Sequence, residues 1–309
     1  MSYKEGCHPI FPYTAQEKQE IRKELGLKES TIQEGMDSIL EWFEKQPHLI
    51  DAGLPDRDFV ERMLLNAKGS IEKAKRRIDN IYKFRYLTPE LVQNRENHLD
   101  TDIYRFYQQA TCPELYNLKR VTVIQITDSD PNSFDLEVLI KTSILLGDIR
   151  LKCDYFLGDI WVLDLTNATF GHLLRVNPLI FTKASRLFLD GIGIRLYAGH
   201  IIGAPSYAQQ LMQFFRKFAS PKLADRVVFH DNLEDLYKYV PKKYLPKDYG
   251  GDQPSFEYFK EKYLSVLRSE DTKKFVVEVA KQMSDESKRP DASIHDEYLS
   301  GSFKKLDLD

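Results

Sequence analysis

Apolar residues in the first hundred positions recur with the spacing of amphipathic helices. Two sets follow the i, i+3, i+4, i+7 pattern: Met36, Ile39, Leu40 and Phe43, and then Ile71, Ala74, Ile78 and Ile81. Ser70 is placed to cap the second helix, and Thr88-Pro89 interrupts the pattern soon after Arg85. The spacing therefore predicts an all-helical N-terminal domain over residues 1–100.

From residue 119 onwards, short apolar strands alternate with helical patterns. The strand-like runs are 121–127, 160–165, 194–202 and 227–229, and helical spacing lies between them at 134–149, 177–188 and from Pro205. This alternation predicts an α/β fold with a mainly parallel sheet and flanking helices. The run IWVLDL (160–165) is almost continuously apolar, as expected of a strand that is covered on both faces. We expect the α/β domain to span residues 101–269.

The last segment, 270–309, is mostly charged but contains a short helical pattern over 275–280. Its final residues regain apolar side chains at Phe303, Leu306 and Leu308. We expect a C-terminal tail that docks on the body of the protein.

The amino-acid composition excludes several classes of protein. The 309 residues carry a net charge of −3 and are 42% apolar, which indicates a globular protein and argues against a nucleic-acid binder. Three scattered cysteines predict reduced thiols rather than a disulfide framework or a zinc site. The first residues lack the apolar run of a signal peptide, and no stretch approaches the ~20 apolar residues of a membrane span. We therefore expect a cytoplasmic protein that touches membranes only transiently.

Motifs that carry catalytic chemistry are missing from the sequence. It has no GxSxG, Walker A, HExxH or GxGxxG motif, and Asp190-Gly-Ile-Gly193 supplies only a fragment of the last. His172 and His200 lie in the α/β region, where structural histidines are the more frequent case. A Ser/His/Asp hydrolase remains an alternative, because triads assemble in space. We predict no catalytic residues, no metal and no cofactor.

The segment PSYAQQLMQFFRKFAS (205–220) is strongly amphipathic and rich in aromatic residues. Its apolar side chains are Leu211, Met212, Phe214, Phe215 and Phe218. Such a face fits a protein core, an apolar ligand or a membrane surface. Arg195, Lys222 and Arg226 lie nearby in sequence, and they fit either a solvated surface or an anionic membrane.

Several motifs together resemble the CRAL-TRIO lipid-binding family. The stretch VPKKYLPKDYGG (240–251) is similar to the end of the family's domain, and upstream the strand ending at Asp164, the pair His172 and Pro178, and Pro205 are collinear with it. The helical region is similar as well, so that the resemblance covers residues 35–260. It is strongest to the tocopherol transfer, retinaldehyde-binding and clavesin-like group.

The resemblance implies a gate helix over a hydrophobic cavity, in a monomer that carries a hydrophobic lipid and delivers it at membranes. The pocket residues that it implies are Thr142, Ser143, Trp161, Leu163, Ala184, Leu187, Phe188, Ile192, Ile194, Leu211, Phe214 and Phe215. The implied gate helix presents Leu211, Met212, Phe214, Phe215 and Phe218. The implied phosphoinositide contacts are Lys68, Arg195, Lys222 and Arg226.

This chain also departs from the family pattern. Tyr197 stands where the family has a further cation, Gly203-Ala204 replaces its Asn before the gate Pro, and Ile192-Gly193 replaces its Tyr/Phe-Pro. We expect a carrier of a tocopherol, retinoid, carotenoid or similar isoprenoid. The alternative is a phospholipid or phosphoinositide exchanger or sensor.

Overall fold

A helical unit occupies the first part of the chain. The computed structural model describes residues 3–98, 103–204 and 224–290, together with positions 207, 210 and 213. The helices of this unit are α1 (Ala15–Glu24), α2 (Glu29–Glu44), α3 (Arg57–Asn66), α4 (Ile71–Leu87) and the short α5 (Pro89–Val92). Ser70 caps α4 by accepting a hydrogen bond from the backbone N–H of Lys73, as its position in the sequence predicts.

The predicted apolar stripes form the interior of this unit. Met36, Ile39 and Phe43 of α2 are buried in one cluster with Ile78 and Ile81 of α4. The helical periodicity of the sequence is therefore confirmed by burial, because the same positions pack against each other.

A five-stranded sheet follows, with the strands in sequential order. The strands are β1 (Tyr107–Thr111), β2 (Lys119–Ile126), β3 (Gly158–Asp164), β4 (Leu196–Ile202) and β5 (Val227–His230). β2 to β5 pair in parallel, and β1 pairs antiparallel with β2. This confirms the predicted α/β fold with a mainly parallel sheet. Sequence reasoning missed β1, whose sequence YQQAT lacks a clear apolar alternation.

Helices connect the parallel strands. α6 (Leu136–Cys153) joins β2 to β3, and the connection from β3 to β4 contains α7 (Phe170–Leu174), α8 (Pro178–Arg186) and a π-helix (Leu187–Ile192). Asn177 caps α8 and Pro178 opens it, as the sequence predicts. The π-helix ends at Gly193, whose φ of 71° is readily adopted by glycine.

The C-terminal part packs against both preceding units. It contains α9 (Leu233–Tyr237), α10 (Phe256–Leu267) and α11 (Glu270–Lys281). Phe256 and Tyr263 of α10 share a buried cluster with Ile160 of the sheet. Residues 284–289 contact the helical unit, since the backbone N–H of Ser284 donates to the carbonyl oxygen of Tyr82 at 3.2 Å.

The π-helix is a main contact between the sheet-containing part and the helical unit. Asn80 donates to the carbonyl oxygen of Asp190 at 3.1 Å, and Asn66 donates to that of Ile192 at 2.9 Å. Gly191 lies so close to α4 that an added Cβ would be 3.1 Å from Cγ1 of Ile81. The helical unit is thereby fixed against the segment that leads into β4.

Candidate ligand-binding site

The central strand β3 has two different faces. Ile160 and Val162 are buried, with 3% and 0% exposure, and belong to the main core. Trp161 and Leu163 point to the opposite face and are only half-buried. A central parallel strand is normally covered on both faces, whereas the side chains that the structure describes leave this second face only partly covered.

The register of the sheet shows what surrounds these two side chains. Leu163 pairs with Ile124 of β2, which is also half-buried, and Trp161 pairs with Gly199 of β4. Ile124 packs in one cluster with Val138 and Leu139 near the start of α6. An apolar and partly open surface thus extends from β3 across β2 to α6.

Thr142 and Ser143 lie on α6, in line with that surface. Their hydroxyl groups donate to the carbonyl oxygens of Val138 and Leu139, at 2.9 and 2.8 Å. With their hydrogens so engaged, the two hydroxyl oxygens can accept a hydrogen bond from a ligand but cannot donate one.

The other described residues that the resemblance assigns to the pocket form two groups. Ala184, Leu187 and Ile192 are buried in the cluster that includes α4 of the helical unit. Phe188 and Ile194 are half-buried beside that cluster. The structure therefore places this set along the boundary with the helical unit, while Trp161 and Leu163 lie on the sheet.

The predicted gate residues Leu211, Met212, Phe214, Phe215 and Phe218 lie outside the described residues, as does Lys222. Their assignment stays a prediction. Position 207 is described, and the ring of Tyr207 contacts that of Phe170 in α7 at a centroid distance of 5.6 Å. The start of the predicted gate segment therefore lies beside α7.

The two short helices α7 and α8 carry exposed apolar side chains. Leu174 is 72% exposed, and Phe170 and Leu179 of α7 and α8 are also exposed. Sequence reasoning missed these residues, because composition alone cannot tell which side of a short helix lacks a packing partner. Exposed apolar groups that lie close together favour contact with a membrane or a partner.

The motif at 240–251 acts as a structural clasp on the end of β3. The hydroxyl of Tyr249 donates to the buried carboxylate of Asp164 at 2.6 Å, and Gln125 donates to the same oxygen at 2.8 Å. Burial, and then this carboxylate, raise the pKa of Tyr249. Gly251 is required by space, because a Cβ there would lie 2.0 Å from the carbonyl oxygen of Leu245.

Histidines in this part of the chain are held as structural groups. Nδ1 of His200 lies 2.9 Å from Nε2 of His230, and both side chains are buried. Burial, followed by the charge of His230, lowers the pKa of His200 to about 4. Nδ1 of His172 accepts a hydrogen bond from the backbone N–H of Thr169 at 3.0 Å.

Three of the predicted phosphoinositide contacts are described. Lys68 is exposed in the turn after α3, Arg195 precedes β4, and Arg226 donates to the carbonyl oxygen of Leu196. Arg226 acts on Arg195, because its charge, after burial, lowers the pKa of Arg195. Lys119 on β2 is a further cation near Arg195, whose charge, after burial, contributes to lowering the pKa of Lys119. Its Nζ lies 4.1 Å from the ring centroid of Tyr197.

Comparison with protein families gives a match over the same part of the chain. Residues 116–251 match the model of the CRAL/TRIO domain. The chain contains a CRAL/TRIO domain. The matched range starts beside β2 and ends at Gly251, so it includes the half-buried face of β3 and the Tyr249 clasp. The resemblance to the CRAL-TRIO family that the sequence motifs indicate is thereby confirmed.

Individual relatives belong to the group that the motifs indicate. The chain is 28% identical over 95 residues to the mouse Alpha-tocopherol transfer protein-like, which covers 30% of this chain and 28% of the relative. It is 24% identical over 121 residues to human Clavesin-2, covering 39% of this chain and 36% of the relative. The matches thus span about a third of the length of these relatives. Among solved structures, the crystal structure of Sfh5 is similar with a TM-score of 0.44 and 10% identity, over 84% of this chain and 98% of that one.

Two features are absent from the part of the chain that the structure describes. Within it, no helix has both the length and the apolar character needed to cross a membrane. No group of three or more histidine, cysteine or acidic side chains is placed there to hold a metal ion.

Proposed function

We propose that this protein is a carrier that binds a small hydrophobic lipid on the half-buried face of its CRAL/TRIO sheet and delivers it at membranes. The observation that carries the proposal is the unequal covering of β3, where Ile160 and Val162 are buried but Trp161 and Leu163 are not. An apolar ligand that covers these side chains would complete the core. Tocopherols, retinoids, carotenoids and similar isoprenoids have suitable chemistry.

The size of the hydrophobic effect explains why such a carrier needs a membrane. A ligand that buries about 400 Å² of apolar surface gains about 10 kcal/mol before ordering costs, at about 25 cal/mol per Å². Escape into water is therefore slow. Contact with a bilayer offers an apolar phase into which the ligand can pass.

The exposed side chains of α7 and α8 are suited to that contact. Phe170, Leu174 and Leu179 present exposed apolar surface, and Phe170 contacts Tyr207 at the start of the predicted gate segment. Apolar groups that enter the interfacial region of a bilayer at this point would bring the lipid surface next to the gate. We propose that Leu211, Phe214 and Phe215 form the inner face of that gate.

Vesicle-to-vesicle transfer of a fluorescent tocopherol or retinoid analogue tests this proposal. The Leu174→Asp variant should lose most of its transfer rate while retaining its unfolding midpoint, because the side chain is exposed and packs little. Leu54→Asp is the matched control, since Leu54 is 51% exposed but lies in the helical unit. Equal transfer by wild type and the Leu174 variant would refute the membrane contact.

Phosphoinositide contact is a second candidate function. It is favoured by the proximity of Arg195, Arg226 and Lys119, which together can attract anionic headgroups. A phosphoinositide exchanger would hold phospholipid in its pocket, whereas a carrier with phosphoinositide contact would hold an apolar lipid. Mass spectrometry of the bound lipid separates the two.

The remaining properties follow from the same proposal. We propose a monomer in the cytoplasm that works without catalysis or cofactor, with a helical domain over residues 1–100 and a C-terminal segment from 270 that docks on the body. A Ser/His hydrolase would instead turn over ester substrates. We propose that this protein does not turn over such substrates.

A further inference from the structure

Polar side chains continue the half-buried face of β3 towards the β1 edge of the sheet. The register pairs Trp161 of β3 with Thr122 of β2, and it pairs Thr122 with Thr111 of β1. Directly paired residues point to the same face of a sheet, so both threonines lie on the face that carries Trp161. Both are buried, and a buried hydroxyl needs a hydrogen-bond partner. Their partners therefore show which ligand groups this part of the face can recognise.

A chain of hydrogen bonds joins the two threonines to three further buried side chains. The hydroxyl of Tyr107 donates to Oε1 of Gln109, which leaves the amide nitrogen of Gln109 to donate to the hydroxyl oxygen of Tyr263 on α10. The hydroxyl oxygen of Tyr263 lies 2.6 Å from Oγ1 of Thr111, and Oγ1 of Thr111 lies 3.1 Å from Oγ1 of Thr122. The chain of hydrogen bonds thus runs across β1 and ends on β2, beside Trp161.

The burial of Tyr263 fixes the direction of these hydrogen bonds. Its side chain is fully buried and its oxygen accepts from Gln109, so its own hydrogen goes to Thr111. In the opposite direction, the hydrogen of Tyr263 would have no acceptor among the described residues. Thr111 is then free to donate to Thr122, and the hydrogen left at the end of the chain belongs to Thr122. Within the described ranges, the Thr122 hydroxyl has no partner other than Thr111.

We propose that the hydroxyl of Thr122 donates a hydrogen bond to an oxygen atom of the bound lipid, an inference that rests on the proposed carrier function. A buried hydroxyl hydrogen without an acceptor is costly, so an acceptor at this position is favourable. Exposure rises along the chain of hydrogen bonds, from 0% at Tyr263 through 3% at Thr111 to 7% at Thr122. The unpaired hydrogen therefore lies at the end nearest the half-buried Trp161, where the lipid is proposed to bind.

The donor character of Thr122 narrows the class of lipid. Thr142 and Ser143 on α6 can only accept a hydrogen bond, whereas Thr122 can donate one. A ketone, an aldehyde or an alcohol offers an oxygen to Thr122, but a hydrocarbon leaves the hydrogen of Thr122 unpaired. A site built to hydrogen-bond a ligand discriminates strongly against an analogue that lacks the bonding group. The ligand class is therefore an isoprenoid that carries a carbonyl or hydroxyl oxygen, in preference to the corresponding hydrocarbon.

Competitive loading of the full chain tests this selection. The chain is incubated with vesicles that contain equal amounts of phytol and phytene, or of canthaxanthin and β-carotene, and mass spectrometry of the extracted chain gives the ratio of the two bound lipids. In each pair that wild type loads, we expect it to enrich the oxygen-bearing member at least about tenfold. Thr122→Val has nearly the same shape without the hydroxyl, so it should lose about tenfold of this enrichment and still load the hydrocarbon. Thr122→Ser retains the hydroxyl and should retain the enrichment.

Thr88→Val is the matched control, because Thr88 is also a buried threonine, but it lies in the helical unit, where its hydroxyl donates to the carbonyl oxygen of Phe84 at 2.8 Å. It should enrich the oxygen-bearing lipid as wild type does. Loading of both lipids without a preference, or an equal preference in wild type and Thr122→Val, overturns the role of Thr122 and leaves the carrier function standing. A wild-type chain that loads no member of either pair overturns this inference together with the proposed carriage of isoprenoids.

Discussion

Replacing Tyr249 by Phe removes one hydroxyl group from the contact that ties the 240–251 segment to the end of β3. The hydroxyl donates to the carboxylate of Asp164 at 2.6 Å, and Asp164 is 6% exposed. A hydrogen bond to a charged group contributes about 1.5–3 kcal/mol. Asp164 retains its bonds from Gln125 and from the backbone N–H of Thr166, so the charge stays partly satisfied. We therefore expect a loss of about 2 kcal/mol.

Urea denaturation followed by circular dichroism measures this loss as a change in the free energy of unfolding. Tyr239→Phe is the matched control, because Tyr239 is 52% exposed and should change the free energy by less than about 0.5 kcal/mol. Asp164 lies on the face of β3 opposite to Trp161 and Leu163, so affinity for an apolar ligand should stay the same in the folded variant. If Tyr249→Phe is as stable as the control, the clasp does not hold the end of β3.

Three further predictions address the sheet, a histidine and a glycine. Ile160→Ala should destabilise the protein by about 2–5 kcal/mol, whereas Leu163→Ala on the other face of β3 should cost less stability but weaken apolar-ligand binding; equal stability losses in urea denaturation would contradict this. Since the pKa of His200 is lowered from 6.5 to about 4, the folded state prefers the neutral imidazole. The stabilisation that results from this preference is fully present above pH 6.5 and is lost as the pH falls towards 4. The difference in unfolding free energy between pH 7 and pH 5 should therefore shrink by about 1–2 kcal/mol in His200→Gln, and an unchanged difference would be inconsistent with that pKa. Gly251→Ala should lower the stability by about 3 kcal/mol, because the added Cβ would clash with the carbonyl oxygen of Leu245. Gly26→Ala should lower it by about 1 kcal/mol, because only its φ of +68° is unfavourable for alanine. Thermal melts that rank the two variants in the opposite order would refute the steric argument.

The elements of the fold that were predictable are those with a strong local signal. The stripes of α2 and α4 and the caps at Ser70 and Asn177 are present where the sequence places them. The π-helix at 187–192 was not predictable from apolar spacing, and in the structure its Gly191 lies against Ile81 of α4, which is distant in sequence.

The candidate site was predictable only in part, and for a physical reason. Apolar spacing identifies Trp161 and Leu163 as sheet residues, but Ile160 and Val162 have the same character. Which face is fully covered depends on partners such as Phe256 that are almost a hundred residues away.

The proposed carrier function depends on the face of β3 that carries Trp161 and Leu163, and native mass spectrometry tests lipid binding there most directly. The purified chain is incubated with vesicles made from a total lipid extract, separated from them, and measured intact and after organic extraction. We predict one apolar lipid per chain in wild type and in Leu54→Asp, and much lower occupancy in Leu163→Glu. A chain that takes up no lipid, or a Leu163→Glu variant that is loaded as fully as wild type, would contradict the account.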